Sequence, residues 1–148
     1  TRNSRISRAQ KMVDLLAEIA GLDIELAAAG EAFASIRKGL ADALAATEEA
    51  TGWLVANGLN DPNDAMAGAT PYLRMFGQLV GGWLLARLAL GAQRRIDAGE
   101  GDATHLGTKV VAARFYAEQL LPIARAQMGA VMAGKADLFE IPADAFSA

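Results

Sequence analysis

Two residues stand out as carriers of possible chemistry: the single histidine, His105, and Arg87, set inside an otherwise apolar run. A histidine titrates near neutrality and can ligate a metal or move a proton. His105 lies in Thr104-His105-Leu106-Gly107 and has no glutamate three residues before it. It therefore lacks the Glu-x-x-His step by which helical bundles hold paired metals. A capping or exposed histidine is the simpler reading, with ligand or general base as the alternative. Arg87 must reach water, a carboxylate on another helix or a ligand phosphate. The simpler readings are a snorkelling arginine or one paired with an acid. Glu48 and Glu49 are adjacent on a helix and point in different directions, so they make a poor acid/base pair and a good solvated face. Gly77, Gly81 and Gly82 belong to no G-x-G-x-x-G after a strand and no G-x-x-x-x-G-K-[ST]. They read as contact glycines inside a helix. The residues alone assign no catalytic, cofactor-binding or metal-binding position.

The elements that hold these residues are helical. Ile6, Ala9, Val13, Leu16 and Ala20 recur in steps of three and four, with Met12, Leu15, Ile19 and Leu22 beside them. This predicts a first helix over about Ser4 to Ala20, stopped or kinked at Gly21. Leu26, Phe33, Leu40, Thr47 and Leu54 repeat every seven residues, partnered by Ala29, Ile36, Ala43 and Ala50. A second helix is expected from Ile24 to Asn57, ended by Gly58 and Asn60-Asp61-Pro62-Asn63-Asp64.

Thr70-Pro71 predicts the start of a third helix reaching Ala98, threonine capping an orphan amide and proline filling a first-turn position. Tyr72, Phe76, Leu79, Trp83 and Leu90 take one side of it, and Leu73, Val80, Leu84, Leu88 and Gly91 the next. Little of its middle is then expected to face water. Gly77-x-x-x-Gly81 is formally a membrane dimerisation motif, but it also lets backbones approach within a soluble bundle. A fourth helix is expected from Thr104 to Gly107 onward to Ala133, bent at Pro122 and capped by Gly134. The apolar tail, Leu138-Phe139-Glu140-Ile141-Pro142 with Phe146, is expected to lie back across the bundle. The predicted fold is all-α: one domain over residues 1–148, an antiparallel up-and-down four-helix bundle with its tail packed on it.

Composition agrees with that class. Of the 148 residues 53% are hydrophobic but only 6% aromatic, and alanine runs favour helices in close contact over sheets. The absence of cysteine excludes a disulfide framework and fits a cytoplasmic protein among other compartments. The net charge of −3 is uneven: the stretch from Asp23 to Asp64 holds eight acids against Arg37 and Lys38. That is no footprint for nucleic acid, which asks for a broad basic surface. Met75 to Ala92 approaches a membrane span in length. Gln78 and Arg87 interrupt it, and a mid-bilayer arginine costs about 2.5 kcal/mol or more, so a buried soluble helix is expected and no transmembrane segment.

Three stretches carry a family resemblance. They are Ala67-Gly68-Ala69-Thr70-Pro71-Tyr72-Leu73-Arg74-Met75-Phe76-Gly77 with Gly82-Trp83, then Ala112-Ala113-Arg114-Phe115-Tyr116-Ala117-Glu118-Gln119-Leu120-Leu121-Pro122, then Leu138-Phe139-x-Ile141-Pro142-x-x-x-Phe146. Together they resemble the C-terminal extension of a subset of acyl-CoA dehydrogenases, those similar to the 3-methylmercaptopropionyl-CoA dehydrogenases. The resemblance implies a non-catalytic helical domain at the end of an FAD-dependent parent enzyme. In such a parent a glutamate takes the alpha proton of an acyl-CoA and FAD accepts the beta hydride. Both would lie upstream of Thr1, so no catalytic or flavin residue is carried over, and Glu18, Glu25 and Glu31 are not put in their place. The implied partners are the dehydrogenase core, a second subunit of a homo-oligomer and, in the parent, the acyl-CoA substrate. The alternatives are a free-standing interaction module or a carrier of apolar ligands with a pocket beside Trp83.

Overall fold

A computed structural model describes the backbone of residues 2–147 and the side chains of residues 10–147. Ile6 and Ala9 of the expected first stripe lie outside the described side chains. Among the described residues the chain is all-helical, with no strand. Helix α1 (Arg2–Gly21) stops at the expected glycine, and Leu22 passes the chain into α2 (Asp23–Ala28). The first α1 stripe is only partly covered: its Leu16 is buried but its Val13 is 50% exposed, whereas Ile19 and Leu22 of the second stripe are both buried.

The long second helix is broken, contrary to the heptad reading. After α2 comes Gly30 at φ +86°, in the left-handed region that side chains disfavour, and a 3₁₀ turn over Glu31–Phe33. Helix α3 (Ala34–Asn60) then runs straight through Gly58. The seam nevertheless meets the core on both sides of the break, for Leu26, Phe33, Ile36, Leu40 and Thr47 are all buried. Pro62 stops α3, because its ring disfavours helical backbone in the residue before it, and Asp61 is extended there. The Asp61 carboxylate accepts the Asn63 amide at 2.9 Å and so caps α4 (Pro62–Ala67).

Helix α5 (Ala69–Asp97) begins at the Gly68 junction, not at a threonine cap: Thr70 is exposed and makes no capping bond. Its buried face includes Met75, Leu79, Trp83, Ala86 and Leu90. The adjoining stripe is open, with Leu73, Leu84 and Leu88 at 73%, 51% and 49% exposure. The expected all-round burial of α5 fails because the chain's other long helices cover one side of it.

Helix α6 (Ala103–Gln119) is capped by Asp102, whose carboxylate accepts the amides of Thr104 and His105. Pro122 does more than bend the expected fourth helix. It ends the continuous run, giving α7 (Leu121–Ala126) and α8 (Met128–Val131), since it has no N–H to return to the preceding turn. Gly134 lies beyond α8 at φ +75°, as expected of a cap. The tail corrects the last expectation. In α9 (Ala136–Glu140) and the 3₁₀ turn Ala143–Phe146 no residue is buried, and Leu138, Phe139 and Phe146 are 67%, 65% and 74% exposed.

Close contacts give the helix directions. Thr51 meets Tyr72, and Gly68 sits against both Leu54 and Val131, so α3 and α5 run antiparallel. Gly101 lies against Arg95, Gly82 meets Leu121 and Gly68 meets Val131, so α5 runs antiparallel to the stretch from α6 through α8. Asp23 on α2 pairs with Arg37 on α3 through two hydrogen bonds of 2.8 and 2.9 Å. Backbones approach at Gly39, where an added Cβ would lie 2.7 Å from the Ala117 carbonyl oxygen, and at Gly68. Gly81 faces the Tyr116 hydroxyl instead of a backbone, and Gly77 faces open space.

The tail is fastened at its root. The Lys135 amide donates to Asp64 at 3.0 Å, and its ammonium pairs with the Asp61 carboxylate. The hydrogen bond from Lys135, then the one from the Asn63 amide, hold Asp61 below the usual carboxylate range, and Asp61 raises Lys135. A carboxylate with a lowered folded-state pKa stabilises above its unfolded value and loses that contribution as pH falls through the folded one. A lysine raised in the same way stabilises below its unfolded value and loses that contribution as pH rises through the folded one. The clasp is therefore closed throughout the neutral range. In a carbon-detected NMR titration Asp61 should show a midpoint below that of a peptide aspartate, and Lys135→Ala should move it up. An identical midpoint in the two proteins would mean the clasp does not form.

Candidate functional site

The most distinctive surface lies on α5, where the apolar run leaves one side uncovered. Arg87 projects from it, and its guanidinium lies 4.9 Å from the centre of the Trp83 ring, a cation–π contact. Neither of the two simpler expectations quite describes it. The side chain lies back over a ring, and no carboxylate among the described residues pairs with it. Arg87 also lines a groove with Leu22, Leu84, Leu88 and Arg94, and Arg94 stands 3.6 Å from Glu25 across it. The groove is lined by leucines together with two arginines and the Glu25 carboxylate, which faces one of them.

The other candidate residues are scattered. His105 is exposed in the first turn of α6, where its amide binds Asp102 and its carbonyl accepts the Thr108 hydroxyl. Glu48 and Glu49 line different grooves, Glu48 with Arg37 and Lys38, Glu49 with Arg125. Among the described residues no three potential ligands converge on a point.

Nor do these residues fit a flavin. Gly77, Gly81 and Gly82 lie inside α5, and the positive-φ glycines, Gly30, Gly99, Gly101 and Gly134, fall in three separate turns instead of one phosphate cradle.

Two polar contacts have no counterpart in the sequence reading. Tyr116 donates its hydroxyl to the Gln78 carbonyl at 3.0 Å, and burial pushes its pKa up. Thr51 gives its proton to the Thr47 carbonyl at 2.6 Å, which leaves its oxygen to accept the Tyr72 hydroxyl at 2.8 Å. Burial raises Tyr72 as well, against the opposing pull of Thr51. Both tyrosines act as struts between helices, and no local motif announces a bond that spans 21 or 38 residues.

Among the described residues the helices stack with their polar groups scattered and several apolar side chains exposed. The family model described as acetyl-CoA dehydrogenase C-terminal like matches residues 10–142, and the chain belongs to that family. It is similar to a 3-methylmercaptopropionyl-CoA dehydrogenase from Ruegeria pomeroyi, 39% identical over 103 residues. That match covers 70% of this chain and 17% of the relative, so the chain spans about a sixth of that protein's length.

Proposed function

We propose that this chain is the non-catalytic C-terminal domain of an FAD-dependent acyl-CoA dehydrogenase in the cytoplasm. Its four long helices act as an up-and-down bundle that supports the catalytic core, subunit association or the walls of the acyl-CoA tunnel. The observation that carries the reading is the family match over residues 10–142, set beside a relative of which the matched part is 17%. The geometry supports it, because scattered titratable groups suit packing and the open apolar faces suit docking.

The expected result for the purified chain is a folded, colourless protein that neither retains FAD through gel filtration nor oxidises acyl-CoA thioesters with an artificial electron acceptor. The same chain joined to its natural upstream sequence should do both. Stoichiometric flavin on the chain alone, or turnover abolished by a point change at Glu18 or Glu118, would overturn the proposal.

A further inference from the structure

Asn57 is the one asparagine of the chain that a glycine follows. With no side chain on the next residue to shield it, the Gly58 amide nitrogen can attack the Asn57 side-chain carbonyl wherever the backbone lets the two meet. Inside α3 they are kept apart, because Gly58 directs its N–H back along the helix. The Asn57 side-chain amide is also tied down, donating to the Trp53 carbonyl at 2.8 Å. Both residues nevertheless lie in the last turn of α3, which ends at Asn60 and borders Asp61-Pro62. Terminal turns of a helix open at little cost unless something beyond the helix holds them. This one is held by the close packing of Gly58 against Ala65, by the Lys135 ammonium on Asp61 and by the Lys135 amide on Asp64.

We propose that Asn57-Gly58 is a deamidation site that the Lys135 clasp holds shut, and that reaction there releases the root of the tail. When the turn opens, the Gly58 nitrogen loses its proton and bonds to the Asn57 side-chain carbon, and ammonia leaves, forming a succinimide. Water then opens the ring to aspartate or isoaspartate. Neither product restores the corner. A carboxylate has no N–H for the Trp53 carbonyl, and it adds negative charge at the C-terminal end of a helix, where it is disfavoured. Isoaspartate also adds a carbon to the backbone, which breaks helical register. Trp53 in turn lies beside Gly134, the residue before Lys135, so damage to the turn reaches the clasp from a second side. The change runs one way, and it needs neither flavin nor any other part of the proposed enzyme.

The purified chain, kept warm at mildly alkaline pH, should gain the mass of one deamidation at Asn57 slowly when folded and much faster in urea. Lys135→Ala should react roughly two- to fivefold faster than the folded parent, the factor by which a surface ion pair shifts a local equilibrium, with an unchanged far-UV circular dichroism spectrum. Asp61→Asn should do the same, since it keeps a capping oxygen for α4 but not the charge. Trypsin reads the release: cleavage after Lys135 should be slow in the parent chain, faster in Asn57→Asp and still slow in Asn57→Gln. Equal rates in the folded chain and in urea would overturn the proposal, as would a rate indifferent to both clasp variants. Cleavage after Lys135 that Asn57→Asp leaves unchanged would overturn the release of the tail.

Discussion

Phe33→Ala is expected to destabilise the domain by about 3–5 kcal/mol, the range for removing a large aromatic side chain from a packed core. Phe33 has no exposed surface and lies in the main cluster with Leu26, Ile36, Leu40 and Leu79. It also ends the 3₁₀ turn after Gly30, so its anchoring sets where α3 begins. Collapse around the cavity is limited because buried neighbours come from several helices. Urea unfolding followed by far-UV circular dichroism should show a much lower midpoint with a similar slope. A change below 1 kcal/mol would mean the site can refill, and the packing at the break between α2 and α3 would need another account.

Phe33 also shows what periodicity reveals and what it hides. The seven-residue spacing of Leu26, Phe33, Leu40 and Thr47 identifies which side chains are buried, since all four are. It does not identify the path between them. Gly30 falls between Leu26 and Phe33, and one residue at positive φ ends a helix while the next turn restores the same face to the core. The break at Pro122 is legible as chemistry but larger than a bend, as α6, α7 and α8 occupy the span expected for one helix. Asp61-Pro62 and Gly134 are legible because their local chemistry is sufficient without tertiary contacts. Thr70-Pro71 offers equally good local chemistry and is overruled by α4, which runs to Ala67 and leaves Gly68 as the junction.

The candidate surface is less legible for a physical reason. Hydropathy reports that Leu84, Leu88, Leu138 and Phe146 avoid water but does not name the molecule that shields them. Taking every apolar stripe as internal puts the tail on the bundle and closes the water-facing side of α5. Both positions are exposed in this chain. The matched part is 17% of the relative, and under the proposed function the remainder of such a protein is what these faces would meet. Arg87 is unusual by its apolar neighbours alone, while its partner, Trp83 one turn earlier, reads in the sequence only as core.

Glycines divide most sharply between what spacing shows and what packing decides. Gly68→Ala is expected to lose about 1–3 kcal/mol, the usual cost of overpacking. Its backbone, at φ −87°, is open to any residue, so the penalty is one of space. The new Cβ would lie 2.3 Å from the Val131 carbonyl oxygen and 3.3 Å from Leu54, and the first of these is backbone that cannot rotate aside. Gly52→Ala is the counterpart. Gly52 is exposed within α3 with nothing within 4 Å of an added Cβ, so alanine should gain roughly 0.5–1 kcal/mol from helix propensity alone. Thermal melts of the two variants should therefore move in opposite directions from the parent chain. If both rise, α8 can retreat from Gly68 without loss, and the close approach of α5 and α8 contributes nothing to the stability of the domain.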